Sequence, residues 1–416
     1  MKNIDLSAPE NSLIIDEIGI HRFTEIMKSV HGDQFYMNFG DHGFYYMGKP
    51  EDIKTLFMKG RRTHRGPLKE IIGNGLFAVD TSKKSLETRK KIGCVYVDQM
   101  LLAQIPRIKM IMESHLKNTR ANELYTVREI FTFCREASIR ANVSLMFGES
   151  NAEELQNASR KILDYIDAYL FASGNKEILE YLDHDDFNKA KDRIYASVAE
   201  SNSSKEFSFL AGLKRQFVRE DGTPNLEVIN AEVLSLLGSG VETAGAMMFW
   251  SLYYLSLNPV LQLEGQETPN DEEWKERFIY EALRLKPAAW AMFRQMPEDV
   301  QFSDGTLIPA GASVSVSPYI THRDPRFWKD PNVFNPSRFL EVSARERYAR
   351  YEFFPFAAGT HRCIGERLAF MQIKAFLTVI LEGYQVENIK NSKLNTRPRL
   401  SLEPEGNCLF RVLRRL

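Results

Sequence analysis

The chain has 416 residues, 44% hydrophobic and 26% charged, which excludes a disordered, collagen-like or low-complexity protein and fits a folded globular one. Lys plus Arg (54) nearly balances Asp plus Glu (55), which excludes a generally basic nucleic-acid binder. Cys94, Cys134, Cys363 and Cys408 stand far apart without C-x-x-C spacing; this argues against a disulfide framework or thiolate zinc site and fits free thiols in a reducing cytosol.

Met1 to Ile20 carries Asp5, Glu10, Asp16 and Glu17, so it lacks the basic start and apolar run of a signal peptide, and a chain soluble from its first residue is expected. Gly40 to Gly48 (GDHGFYYMG), aromatic with flanking glycines, predicts a short hairpin. Apolar periodicity predicts helices over Leu101–Asn118, Val127–Met146, Asn151–Ala172, Asn225–Leu257 and Glu366–Glu382. Pro224-Asn225 opens the long one and Asn258-Pro259 closes it, giving roughly 50 Å at about 1.5 Å per residue. Its segment Val233–Leu255 is long enough to span a bilayer, but Glu242 and the glycines Gly238, Gly240 and Gly245 favour a core helix. Ala291 to Ser317 alternates around turns at Asp304-Gly305 and Pro309, a second β-rich stretch. The expected fold is mainly α with a small β part near 30–60 and 291–317. With no repeat, linker, flavin or iron-sulfur module in view, one domain over 1–416 and no fused reductase is expected.

Three constellations carry chemistry. In PFAAGTHRCIGERLA, Phe356, Gly359, Cys363 and Gly365 form F-x-x-G-x-x-x-C-x-G. Its glycines let a loop turn tightly and approach a flat ligand, and a thiolate just before a helix gains from the helix N-terminus. The other three cysteines read as small buried hydrophobes. Glu281 and Arg284 lie three apart on one helical face, a spacing that ordinary surface pairs share, and Arg338 follows downstream in Asn335-Pro336-Ser337-Arg338-Phe339. Within the long helix, Gly238-Ser239-Gly240-Val241-Glu242-Thr243 sets an acid beside an alcohol among helix-weakening glycines, a pattern suited to guiding protons.

Together these motifs resemble the cytochrome P450 family, the haem-thiolate monooxygenases, and the match runs from about Gly40 to the C-terminus. The resemblance implies that Cys363 is the axial ligand of the iron of haem b and that Phe356, Gly359 and Gly365 shape its loop. It implies that His361, Arg294 and Arg89 contact haem propionates, and that Glu281, Arg284 and Arg338 form a buried charge triad holding the loop. Glu242 and Thr243 would deliver protons for O2 activation. Three positions depart from the family pattern: Ser85 replaces the usual Trp or His four before Arg89, leaving Lys90 as an alternative contact; Ser239 replaces Ala; and Ala244 stands where a second Thr or Ser is common.

By the same resemblance Ile72, Phe77, Val79, Leu236, Val241, Ala289, Trp290, Ala291 and Met292 line the pocket. They imply a mostly apolar small substrate, whether terpenoid, fatty, steroid-like or aromatic. Electrons would come from a ferredoxin or flavodoxin with its reductase, docking on Arg89, Lys90, Lys91, Arg362, Arg367 and Lys374. A cytoplasmic enzyme with no membrane anchor and no nucleic-acid partner is expected. A peroxide-using or non-oxygenating haem-thiolate enzyme and a haem sensor are the competing readings, the first disfavoured by the intact Glu242-Thr243 pair.

Overall fold

A computed structural model of the chain describes residues 1–39, 42–62, 66–96, 98–117, 119, 123–148, 152–172, 180–201, 208–389 and 393–415. Expectations that touch Gly40, Asn118 and Asn151 lie outside the described residues at those positions. The strands are β1 (Lys2–Asp5), β2 (Gln34–Phe39), β3 (His42–Met47), β4 (Leu124–Thr126), β5 (Met292–Gln295) and β6 (Val300–Gln301). They continue with β7 (Leu307–Ile308), β8 (Ser313–Val316), β9 (Tyr384–Asn388), β10 (Asn395–Pro398), β11 (Leu402–Glu405) and β12 (Leu409–Arg414). Most other segments are helical, as the sequence predicts. The chain packs as two compact units.

The first unit comprises Met1–Thr63, Glu273–Cys363 and Asn395–Glu405. Its five-stranded sheet runs β1-β2-β3-β8-β5, with β8 parallel to β3; β2 and β3 are antiparallel, so the segment Gly40–Gly48, expected to be a hairpin by itself, supplies one strand, β3, of a hairpin that begins at Gln34. Alternation in β2 buries Phe35 and Met37 on one face, against Phe23, Tyr46 and Tyr319. A second apolar cluster gathers Ile53, Leu56, Phe57, Val314, Val316 and Phe354. The hairpin β10-β11 is tied to this unit by the Leu402 N–H, which donates to the Ala288 carbonyl at 3.1 Å.

The second unit comprises His64–Glu272, Ile364–Leu394 and Gly406–Leu416. Its axis is the central helix Leu226–Leu257, capped by the Asn225 side chain, which accepts from the Val228 N–H. Helices Val127–Phe147, Ala152–Ala172, His184–Glu200 and Glu366–Gly383 surround it, and the antiparallel sheet β4-β12-β9 packs beside it. Although hydrophobic enough for a bilayer by length and composition, 78% of its most apolar window is buried inside the fold, so its apolar surface meets protein. The helix expected over Leu101–Asn118 is two helices, Asp98–Leu102 and Ile105–Lys117. Pro106 explains the break, because it cannot donate to a carbonyl one turn back and is favoured where a helix restarts.

Gly245 shows why this helix tolerates weak helix formers. A Cβ there would stand 2.9 Å from Arg135 Cα and 3.3 Å from Arg135 N, backbone that cannot give way, so glycine sets the closest approach to Val127–Phe147. At Gly238 a Cβ would make an ordinary 3.5 Å contact with Ile166 Cδ1. Alanine is favoured over glycine in a helix by about 1 kcal/mol, and overpacking costs about 1–3 kcal/mol. Gly238→Ala therefore raises the urea unfolding midpoint and Gly245→Ala lowers it; two shifts of the same sign would contradict this packing.

Candidate active site

The cysteine loop is built in the first unit from two left-handed residues, Ala357 (φ 60°) and Gly359 (φ 66°). A side chain at Gly359 is excluded twice, by φ and by the Phe57 carbonyl oxygen, which a Cβ would approach to 2.7 Å. The Cys363 N–H donates to the Phe356 carbonyl at 2.8 Å, and the Phe356 N–H donates to Tyr348 Oη at 3.2 Å. His361 ends the short turn Gly359–His361 and is half-buried. Gly365, at φ −87°, is an ordinary helix cap for Glu366–Gly383, and no side chain caps that terminus. Cys134 and Cys408 are buried as expected, whereas Cys363 is exposed and so, against the expectation of a buried thiol, is Cys94. Arg294 on β5 is buried, its guanidinium 5.6 Å from the Phe57 ring centroid and its Nη1 donating to the Phe293 carbonyl.

Behind the loop lies the charge network. Arg284 donates from Nε and Nη2 to both oxygens of Glu281 (2.7 and 2.8 Å). Its three other N–H groups go to the carbonyls of His322, Pro331 and Val333, so all five donors of a side chain with 0% exposure are used. Glu281 Oε1 also accepts from Arg338 Nε at 3.0 Å and from the Asn335 N–H at 2.8 Å. No motif marks His322, which connects this network to the loop. Its Nε2 accepts from the Phe354 N–H at 2.9 Å, which requires the tautomer protonated at Nδ1. Burial, then the charges of Arg284 and Arg323, push its pKa well below the usual histidine range and keep it neutral.

In the second unit the central helix is buried nearly all round through its middle, except along Leu236, Ser239, Gly240 and Thr243. Their spacing places the four on one face. Thr243 Oγ1 donates to the Ser239 carbonyl at 2.9 Å. Glu242 points elsewhere: its Oε1 accepts from Arg135 Nε at 2.5 Å, and Arg135 Nη1 donates to Asp164 at 2.7 Å. Asp164 is 60% exposed, so this short relay reaches from a buried acid to the surface. Burial raises the Glu242 pKa against the lowering effect of Arg135.

A third acid, Glu232, was not singled out in the sequence. Its Oε2 accepts from the Leu76 N–H at 3.0 Å, while Ser235 Oγ accepts from the Phe77 N–H at 2.8 Å. These bonds clasp Gly73–Phe77 to the central helix, and Gly75 permits it: a Cβ there would stand 2.4 Å from the Ala231 carbonyl oxygen.

The predicted pocket residues divide. Leu236 lies on the open face, and Phe77, Val79 and Ala291 are half-buried. Val241 is fully buried on another face of the helix, and Ile72 is buried. Ala289 and Met292 pack into the Phe57–Phe354 cluster, and Trp290 Nε1 donates to the Arg399 carbonyl at 3.0 Å. Arg89 is half-buried, with Lys90 and Lys91 exposed beside it. Ser85 is the helix's reciprocal capping partner, bonded to Ser82 in both directions, so this position serves the helix start. Lys374 is paired with Glu272 at 3.3 Å, which reduces its availability to a partner.

These residues fit a flat, anionic, iron-bearing group. Cys363 offers a soft sulfur ligand from a tightly turned loop, and Arg294 offers a buried guanidinium in the same unit.

Two predictions follow from the buried charges. Glu281→Gln leaves two buried guanidinium groups without their anion and lowers unfolding free energy by about 3–5 kcal/mol in urea titrations. Burial pushes Glu232 up to about 7, so the contribution of this carboxyl to stability is fully present below its unfolded pKa and is lost as pH rises toward 7. Glu232→Gln removes that fall and gains about 3 kcal/mol relative to wild type at pH above about 8. Parallel stability–pH profiles for the two proteins would refute it.

Comparison with known proteins agrees with this chemistry. The family profile described as cytochrome P450 matches residues 12–268 and 273–409. Cyclooctatin synthase from Streptomyces melanosporofaciens is 25% identical over 410 residues, covering 89% of this chain and 87% of that protein. Human cytochrome P450 4F2 is 25% identical over 337 residues, covering 76% of this chain and 62% of that protein. Human cytochrome P450 4V2 is 32% identical over 206 residues, 45% of this chain and 39% of that protein. The chain thus spans less than two thirds of these two human relatives. With the profile matching nearly its whole length, the chain belongs to the cytochrome P450 family, the haem b-binding monooxygenases.

Proposed function

We propose that residues 1–416 work as one haem-thiolate unit that hydroxylates or otherwise oxidises a mostly apolar small molecule. The haem, when bound, supplies the oxygen-activating chemistry. Cys363 would hold the iron, Arg294, His361 and Arg89 would pair with the propionates, and Glu281, Arg284 and Arg338 would fix the Cys363 loop through His322 and Phe354. The observation that carries the O2-dependent reading is the relay Asp164–Arg135–Glu242, ending beside Thr243 in the chain. An acid raised by burial and bonded to an exposed carboxylate through one guanidinium suits repeated proton supply. The Thr243 hydroxyl would leave the Ser239 carbonyl to order water. A peroxide-using enzyme has no need of such a relay.

The apolar side chains of Leu236, Phe77 and Val79 support a terpenoid, fatty, steroid-like or aromatic substrate. Electrons would come from a ferredoxin or flavodoxin with its reductase, and the exposed Lys90, Lys91, Arg362 and Arg367 support an acidic partner. Near-neutral charge and unpaired spacing of the cysteines support a cytoplasmic setting.

The reduced protein with CO is expected to give the red-shifted thiolate band; an imidazole-type band would remove Cys363 from its role. With a ferredoxin system, Thr243→Ala is expected to consume electrons while product per electron falls by about tenfold or more. Unchanged coupling would assign Thr243 a purely structural part.

A further inference from the structure

Five acidic side chains are buried among the described residues, and four of them are well answered. Glu281, Glu242 and Asp324 each bond a guanidinium, and Asp52 accepts three hydrogen bonds, from Gln34 Nε2 and from the N–H and hydroxyl of Ser303. Glu232, 1% exposed, accepts from the Leu76 N–H at 3.0 Å, and no cation among the described residues pairs with it. Burial is costly for such a carboxylate, and a glutamine would accept the same N–H without the charge. The clasp on Gly73–Phe77 therefore does not explain why this position is acidic.

Its place on the helix supplies a reason. Glu232, Leu236, Ser239 and Thr243 follow one another at intervals of four, three and four, which at about 3.6 residues per turn sets all four on one stripe. The last three belong to the open face of the central helix, so Glu232 stands at the N-terminal end of that stripe, roughly 16 Å from Thr243 at about 1.5 Å per residue. Beside it the clasped segment continues into half-buried Phe77 and Val79. The helices packed on the central helix carry, among others, Lys69 and Glu70, Arg135 and Arg140, and Asp164 and Asp167, but no charge on them acts on Glu232. Burial alone lifts its pKa to about 7, against the lowering effect of the Leu76 N–H. An elongated apolar molecule lying along the stripe would meet a carboxyl group with no counter-ion at one end and the threonine hydroxyl at the other.

We propose that Glu232 recognises the substrate: its carboxylate binds an ammonium or guanidinium group at one end of an elongated apolar molecule whose other end lies against Thr243. This names a substrate class for the monooxygenase reading and rests on that reading for the reaction, though not for the binding. A bound cation favours the ionised carboxylate, so below neutral pH binding releases a proton, and affinity rises as pH is raised through 7.

The test is calorimetric titration of the haem-loaded enzyme with decylguanidinium, whose charge is fixed, and with 1-decanol as its uncharged counterpart, at about pH 6 and about pH 8, each in two buffers of different ionisation enthalpy. Saturable binding of decylguanidinium is expected, about tenfold tighter at the higher pH, with release of most of one proton at the lower. Decanol should show neither effect. Glu232→Gln should weaken decylguanidinium by about tenfold or more at the higher pH, abolish the proton release and leave decanol unchanged. An equal loss for both ligands would make Glu232 a support of the pocket wall and overturn the proposal. So would the lack of saturable decylguanidinium binding, the lack of proton release by the wild type, or unchanged affinity in Glu232→Gln. Should Glu232→Gln fail to fold, the wild-type proton release and the difference between the two ligands decide the question. The CO band and the coupling of Thr243→Ala report on Cys363 and the reaction, so failure of that reading leaves these titrations interpretable, and the reverse holds too.

Discussion

Two guanidinium groups and one carboxylate withdrawn from water set the terms for the loop that carries Cys363. A buried charge left unpaired costs several kcal/mol, so Glu281, Arg284 and Arg338 accept only arrangements in which every donor finds an oxygen. Arg284 meets that demand by drawing in three backbone carbonyls from residues 322 to 333 as well as Glu281. The network therefore fixes backbone, and His322 passes the constraint onward through the Phe354 N–H. From Phe354 the chain has two residues to reach Phe356, whose carbonyl holds the Cys363 amide. Neutrality of His322 matters here, because a protonated ring could not accept at Nε2.

Backbone closeness is the second constraint, and it explains glycines that propensity alone would count as faults. Gly245 lets the central helix touch the Arg135 backbone, which brings the Arg135 side chain within reach of Glu242 one turn earlier. Gly75 lets the segment before residue 79 lie on the central helix, where Glu232 and Ser235 receive its amides. Gly359 does the same for the cysteine loop against Phe57. At Gly245 and Gly75 the missing Cβ converts a steric limit into a hydrogen-bonded junction.

What could be read in the sequence was whatever is local or periodic. The central helix was bounded to within a residue because Pro224-Asn225 and Asn258-Pro259 are local signals, whereas the glycine-flanked aromatics of Gly40–Gly48 marked a hairpin but cover only its second strand. The triad was legible because its spacing repeats a family pattern. Arg135, Glu232 and His322 were not, since each earns its position through partners 107, 156 and 32 residues away, and no periodicity encodes such a pairing. Val241 misled for the opposite reason: it sits inside the motif but, two residues before Thr243, faces away from the open side of the helix. Ser85 looked like a loss at a ligand-contact position and is a capping residue, a local role that the family comparison masked.

Glu232 and Glu242 show how surroundings divide one chemistry between two roles. Both are buried acids on the same helix, and burial raises the pKa of each. Glu232 accepts from the Leu76 amide N–H, which holds the carboxyl in place. Glu242 receives a guanidinium that is itself bonded to exposed Asp164, so its charge is coupled to a group in contact with solvent. Arg135 does not give up its own proton, because its pKa is raised further by the two acids. It stands as a fixed positive charge bonded on one side to a buried acid and on the other to an exposed one. The two acids of this helix thus differ in their partners, one being bonded to a backbone amide and the other linked through a guanidinium to the surface.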